Sequence, residues 1–321
     1  MNYFLSIYQH LPGKINPVAF SAGPFFVRWY PLMYILAFLV VYLLLMYRVK
    51  SKEFPISNFQ FPNKFKIQNS KFKILVEEFI FYSFLGVIIG GRLGYILFYN
   101  LPHYLAHPLE AFFPIQDLGY GFQVTGFYGM SYHGGLIGVL LATWYFVRKN
   151  KINFWAWADF VIPAVPAGFF FGRIGNFLNG ELYGRITTKA WGMYFPAGGE
   201  MLRHPSQLYE AFFEGLVLFA ILWFLRSRPH PASQGESALS QFWERGLGGE
   251  GKRGRLFLLY VFLYGLFRIF VEFFREPDPQ LGLVVKWAGN GLTLGQILSL
   301  GMVLFSVCLF LYPVRSKNKK S

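Results

Sequence analysis

The sequence predicts an all-α polytopic membrane protein with seven transmembrane helices, its N-terminus outside and its C-terminus cytoplasmic. Three observations predict this. Of the 321 residues 54% are apolar and only 14% charged, where a soluble domain carries roughly a quarter charged. Long apolar runs recur, each close to the ~20 residues a span requires. Lys and Arg gather in alternate connecting segments, the bias that marks cytoplasmic loops.

In chain order the spans are expected at 24–47, 79–101, 129–148, 156–178, 207–226, 256–275 and 292–312. The fourth and sixth contain charges but are flanked by strongly apolar sequence. Basic residues cluster after the first span (Arg48 to Lys73), the third (Arg148, Lys149, Lys151), the fifth (Arg226 to Arg255) and in the tail (Arg315 to Lys320). These four segments hold 20 of the 30 Lys and Arg residues, which assigns them to the cytoplasm. The net charge of +14 then reflects this bias and attraction to anionic lipid heads. Basic residues so dispersed argue against a nucleic-acid partner.

Between spans the expectations are simpler. Residues 1–22 lack a basic start, apolar stretch and small-residue site, so no cleaved leader is expected. Residues 3–11, YFLSIYQHL, suggest an outer interfacial helix. Residues 50–73, where KFKI recurs, and 229–254, rich in Gly and Ser, read as flexible cytoplasmic loop expansions. The remainder is one membrane-embedded domain over 1–321. The single cysteine, Cys308, forms no internal disulfide. It falls near the cytoplasmic end of the last span.

This orientation gathers the polar residues of the spans. Arg28, Trp29 and Tyr30 start the first span on the outside, Arg92 lies in the outer half of the second, and His133 opens the third. Arg173 and Asn176 fall in the last turns of the fourth, and Arg268, Glu272 and Arg275 at the outer end of the sixth. Ionisable groups within a membrane face a bundle interior or watery cavity and mark function. The expectation is one cavity open towards the outside. Glycines four apart in GVIIG, GGRLG, GGLIG and GFFFG allow close helix approach around it.

Arg92, Arg173, Arg268 and Arg275 outnumber the nearby acids Glu181 and Glu272. Arginine binds phosphate bidentately and stays charged, so an anionic phospholipid head is the expected ligand. Arg268, Glu272 and Arg275 share one helix face; Glu272 either forms a structural ion pair or holds an arginine for function. His133 makes a plain hydrogen bond or accepts a proton. Tyr30 is an interfacial anchor or a hydroxyl that reaches the site. Asn176 and Asn179 satisfy ester or phosphate oxygens, or end the fourth span. No HExxH and no acid-rich cluster point to a metal. GMSYHGG lacks GxSxG spacing, and Ser131 and His133, two apart on a helix, point away from each other. The last span has no Lys for a retinal-type receptor. A lipid or solute transporter remains the alternative class, with inverted repeats as its mark; no such symmetry is visible in seven spans.

GRIGNFLNGELYGR at 172–185 resembles the signature of the prolipoprotein diacylglyceryl transferase family. RWYPLMY, GGRLGYILFYN, MSYHGGLIG, RHPSQLYEA, FRIFVEFFREPDPQ and GQILSL resemble further family blocks, in family order. The loop at 186–202 is shorter than in the family, and GYGFQVTGFYG matches more loosely. The resemblance implies seven spans with a small periplasmic head, in the bacterial inner membrane, with the active site towards the periplasm. It implies transfer of diacylglyceryl from phosphatidylglycerol to the lipobox cysteine thiol of a preprolipoprotein signal peptide, with thioether formation and release of glycerol-1-phosphate. No metal or soluble cofactor is implied, and the partners are these two substrates and membrane lipid. Carried over by motif, Arg173 and Asn176 bind the lipid phosphate, with Glu181 and Gly184 in support; Arg92 is expected among the substrate-binding arginines. Arg268 holds the leaving phosphate, oriented by Glu272 and Arg275. His133 and Tyr30 assist deprotonation of the thiol or shape its approach.

Overall fold

The computed structural model describes residues 3–23, 25–51, 69–113, 115–117, 122–124, 129–226, 254–277, 282–287 and 290–311. Contacts divide the chain into two compact units, one of residues 1–54 with 158–321 and one of residues 55–157.

The first unit begins with α1 (Tyr3–Gln9) and α2 (Leu11–Lys14), where the interfacial helix was expected. An antiparallel hairpin follows, β1 (Val18–Ala22) on β2 (Phe25–Arg28), with Ala22 opposite Phe25. After β1 the chain takes a positive φ at Gly23, +59°, which glycine adopts without steric cost. β2 runs directly into α3 (Trp29–Lys50), whose 22 residues rise about 33 Å, enough for the hydrocarbon core.

The second unit contains α4 (Asn69–Tyr99), α5 (Leu101–Ala106), α6 (Pro108–Phe112), the hairpin β3 (Ile115–Asp117) with β4 (Phe122–Val124), and α7 (Tyr132–Lys149). α4 starts ten residues before the expected span, so residues 69–73 of the expected loop expansion are helical. Positions 52–68 lie outside the described residues, as do 227–253 of the second expansion. The glycine ladders act as the sequence implies. A Cβ on Gly86 would lie 2.6 Å from the Gly138 carbonyl oxygen, and one on Gly94 would lie 2.7 Å from Gly134 Cα. Only bare backbone lets α4 and α7 approach so closely. At their far ends Phe79, Phe146 and Trp157 form a buried aromatic knot with centroids 4.9–5.4 Å apart.

The chain returns to the first unit through α8 (Phe154–Val161), a 3-10 turn at Ile162–Ala164 and α9 (Val165–Leu178). Pro163 and Pro166 explain the tightened turn, since proline removes the N–H an α-helix uses there. α9 packs on α3, with Gly168 against Ala37 and Val41 and Gly175 against Tyr30 and Met33. After the 179–205 segment come α10 (Ser206–Glu210), a π-helical stretch over Ala211–Val217 and α11 (Leu218–Leu225). α12 (Arg255–Glu272) packs on α13 (Leu294–Leu311), and the antiparallel hairpin β5 (Leu283–Trp287) with β6 (Asn290–Thr293) lies between them in sequence.

Among the described residues, five helical stretches are long and apolar enough to cross a membrane: Trp29–Lys50, Ser70–Tyr99, Phe154–Leu178, Ser206–Leu225 and Leu294–Leu311. The protein is therefore multi-pass. The segments expected as the third and sixth spans form helices, α7 and α12, of 18 residues each, yet fall outside that set. Polar ends and glycines lower the hydropathy of α7, and α12 carries three charges, Arg255, Arg268 and Glu272.

Candidate active site

The first unit draws together most of the polar residues singled out in the sequence. The last turns of α9 present Arg173 and Asn176. Arg173 Nε lies 2.6 Å from Glu210 Oε2, its Nη1 donates to Asn176 Oδ1 at 3.3 Å, and its guanidinium covers the Phe169 ring at 4.6 Å. Asn176 Nδ2 donates to Glu181 Oε1 at 3.0 Å, and Asn179 Nδ2 to the same oxygen at 3.4 Å. From α12, Arg268 Nη1 lies 3.3 Å from Glu210 Oε1 and 3.8 Å from Glu214 Oε1, while its Nη2 lies 2.8 Å from Glu272 Oε2. Arg275, just past the helix end, places Nη1 3.4 Å from Glu210 Oε1. One carboxylate, 1% exposed, thus meets three guanidinium groups.

Tyr30 opens α3 beside this group. Its hydroxyl donates to that of Tyr34 at 3.0 Å and lies within electrostatic reach of Glu181 and Arg173. A Cβ at Gly175 would lie 3.1 Å from the Tyr30 ring, so the glycine lets the ring settle against α9.

Glu210 and Glu214 escaped the sequence reading, and they change its electrostatics. The expected arginine surplus does not hold in this unit, where Arg173, Arg268 and Arg275 meet Glu210, Glu214 and Glu272. The signal was present in QLYEAFFEG: two acids four apart in an apolar run satisfy the rule that drew attention to the arginines. Glu210 ends α10 and Glu214 sits within the π-helical stretch, a distortion frequent at functional sites.

Gly184 contributes through its backbone. It bridges Arg275 in antiparallel fashion, and its N–H donates to the His204 carbonyl at 2.8 Å. A side chain would collide with the Phe274 carbonyl and the His204 Cβ. The neighbouring Leu182 holds φ at +57°, a left-handed conformation costly for a branched residue. The 179–205 segment is further tied to α1. Gln9 Nε2 donates to the Ala190 carbonyl at 3.0 Å and Tyr8 to that of Trp191 at 3.0 Å, above a small core of Phe177, Met193 and Phe195. Arg203 pairs with Glu276. Burial and the charge of Lys189 hold His204 below the ordinary imidazole value.

The other two predicted residues lie in the second unit. Arg92 Nε donates to the Ala111 carbonyl at 3.1 Å and Nη1 to that of Gly129 at 3.5 Å; Nη2 donates to that of Glu110, and the guanidinium covers Tyr104 at 4.9 Å. It ties down the chain that follows α4. His133 is exposed in the first turn of α7. Ser131 caps that helix, its hydroxyl accepting the Gly134 N–H at 3.2 Å. Among the described residues no group of three or more His, Cys, Asp or Glu is placed to hold a metal.

The family model described as prolipoprotein diacylglyceryl transferase matches residues 17–312. A phosphatidylglycerol–prolipoprotein diacylglyceryl transferase of Chlorobaculum tepidum is 43% identical over 310 residues, covering 96% of this chain and 93% of its own. The enzyme of the same name from Bordetella avium is 43% identical over 308 residues, covering 96% and 98%. That from Desulfotalea psychrophila is 41% identical over 312 residues, covering 97% and 98%. Similarity of this extent, running through every segment that builds the Glu210-centred cluster, means that the chain belongs to the prolipoprotein diacylglyceryl transferase family.

Proposed function

We propose that this protein transfers the diacylglyceryl group of phosphatidylglycerol to the thiol of a lipobox cysteine in a preprolipoprotein, the first step of bacterial lipoprotein maturation. The names of its full-length relatives support the reaction. The carrying observation is the convergence of Arg173, Arg268 and Arg275 on Glu210. In this reading the enzyme spans the bacterial inner membrane seven times, α7 and α12 included. Its N-terminus is outside, its C-terminus is cytoplasmic, and α1 with residues 179–205 forms a small periplasmic head beside the site.

The thiol loses its proton, and the thiolate attacks the glycerol carbon that bears the phosphate. The C–S bond forms, the C–O bond breaks, and the departing glycerol-1-phosphate takes the electron pair as a second negative charge. Arginines held in place before reaction stabilise that charge as it develops. Their partner acids keep the guanidinium groups from swinging out towards water. The gain therefore comes from fixed orientation and not from a net positive field. Arg173 with Asn176 binds the phosphate, supported by Glu181 and by the backbone at Gly184. Arg268, aligned by Glu272 and Arg275, meets the leaving oxygen. His133 is the imidazole that takes the thiol proton, and Tyr30 shapes the thiol's approach. Arg92 serves by fixing the chain around Glu110 and Gly129.

Each such donor is worth about 3 kcal/mol of barrier, roughly a hundredfold in rate. The test incubates membranes containing the protein with phosphatidylglycerol labelled in its diacylglyceryl group and a lipobox peptide. Label should appear on the peptide cysteine, and Arg173→Ala and Arg268→Ala should each lose about a hundredfold in rate. An unlabelled peptide beside an active control enzyme would reject the transferase. Full rates in both variants would reject the arginine mechanism.

A further inference from the structure

A second device meets the cluster where α12 ends and α13 begins. Glu272, the last residue of α12 and 4% exposed, places its carboxylate against the first turn of α13. The Thr293 hydroxyl donates to Glu272 Oε1 at 2.9 Å. The same residue caps α13 reciprocally with Gln296. Thr293 Oγ1 accepts the Gln296 N–H at 3.2 Å, and Gln296 Oε1 accepts the Thr293 N–H at 3.1 Å. That arrangement fixes the first turn of a helix and, with it, the orientation of the threonine hydroxyl. Gly295 completes the seat. A Cβ there would lie 2.9 Å from Glu272 Cδ, 2.9 Å from Oε1 and 3.0 Å from Oε2. The opposite oxygen of the carboxylate is the one 2.8 Å from Arg268 Nη2.

We propose that Thr293 and Gly295 are positioning residues, setting the Glu272 carboxylate and through it the Arg268 guanidinium. The inference rests on the proposed part of Arg268 in diacylglyceryl transfer. An arginine side chain has many rotamers, and its plane is specified here by the carboxylates it meets. Glu210 and Glu214 address Nη1, and Glu272 addresses Nη2. Moving Glu272 by the few tenths of an ångström that a methyl group demands therefore turns the guanidinium, and misplacement on the scale of about 1 Å costs on the order of a hundredfold in rate.

Gly295→Ala separates positioning from stability. Alanine is favoured over glycine within a helix, and the atoms in its way are the far end of a flexible side chain, which yields easily. The variant should melt at or above the wild-type temperature, yet its kcat should fall at least about tenfold, with KM for phosphatidylglycerol within about twofold. Gly301→Ala, on the same helix with nothing within 4 Å of the new methyl, should retain full kcat. Thr293→Val should lower kcat, and Thr293→Ser, which keeps the hydroxyl, should restore it. A readout independent of turnover is the nitrogen resonance of the Arg268 side chain, assigned by its loss in Arg268→Lys. It should shift in Gly295→Ala and stay in place in Gly301→Ala. An unshifted resonance in Gly295→Ala overturns the inference, as does wild-type kcat in both Gly295→Ala and Thr293→Val while Arg268→Ala is inactive. If the wild-type protein transfers no label, the transferase reading fails, and the resonance still decides whether Gly295 positions Arg268.

Discussion

Glu210 links three arginines and is buried. Removing one member of a buried ion network leaves the rest uncompensated, which costs about 3–5 kcal/mol. Glu210→Gln should therefore lower stability by about that amount in denaturant unfolding of the detergent-solubilised protein, as well as slow transfer. His133 makes a different prediction. As the proposed acceptor of the thiol proton it acts on the chemical step, so His133→Asn should slow transfer about a hundredfold or more; a wild-type rate in that variant would remove His133 from the reaction. Arg173, Arg268, Glu272 and Arg275 were legible in the sequence because charges stand out in apolar helices. Glu210 carries the same signal but lay close to a loop in the chain order, and only the fold reveals that it faces arginines from both α9 and α12. Arg92 was legible as an intramembrane cation but not as a clamp on backbone carbonyls, since its acceptors are main-chain atoms 18 to 37 positions away.

At the scale of elements, helix existence was readable from apolar runs, while the departures from regular helix were not. The 3-10 turn at 162–164 follows from two prolines. The π-helical stretch at 211–217 has no marker in its sequence; within it Gly215 lies against Phe170, where a Cβ would have only 2.8 Å. A further link is equally hidden. Asp159, on α8, caps the start of α12, accepting the Gly254 N–H at 2.6 Å and the Phe257 N–H at 3.0 Å. Beside it the buried Arg48 donates to the carbonyls of Asp159 and Phe160. An N-terminal cap lent by another helix should behave as a local one does. Asp159→Ala should destabilise the protein by about 1–2 kcal/mol in the same unfolding measurement, with Asp159→Asn closer to wild type. Because α12 carries Arg268, loss of this cap at its distant end also tests how rigidly the helix transmits position.

For the molecule as a whole, composition and the spacing of apolar runs revealed a multi-pass helical protein. α7 and α12 are the hardest to read as spans because their charges and glycines, useful for chemistry and packing, dilute the hydropathy that identifies a span. The proposed orientation has a direct check. Cysteines placed at Tyr30, His133 and Asn179 should react with an impermeant maleimide added to intact spheroplasts; reaction only after the cytoplasmic face is opened would reverse the topology. The unit of residues 1–54 and 158–321 is also discontinuous along the chain, and this orders events during synthesis. At about 5–20 residues per second, roughly 5–20 s separate emergence of Arg173 from that of Arg268, and α3 awaits α9 for longer still. Arg173 meets Glu210 soon after it is made, but the buried Glu214 waits for Arg268, so ribosomes that stall before α12 would leave a product exposed to membrane proteolysis.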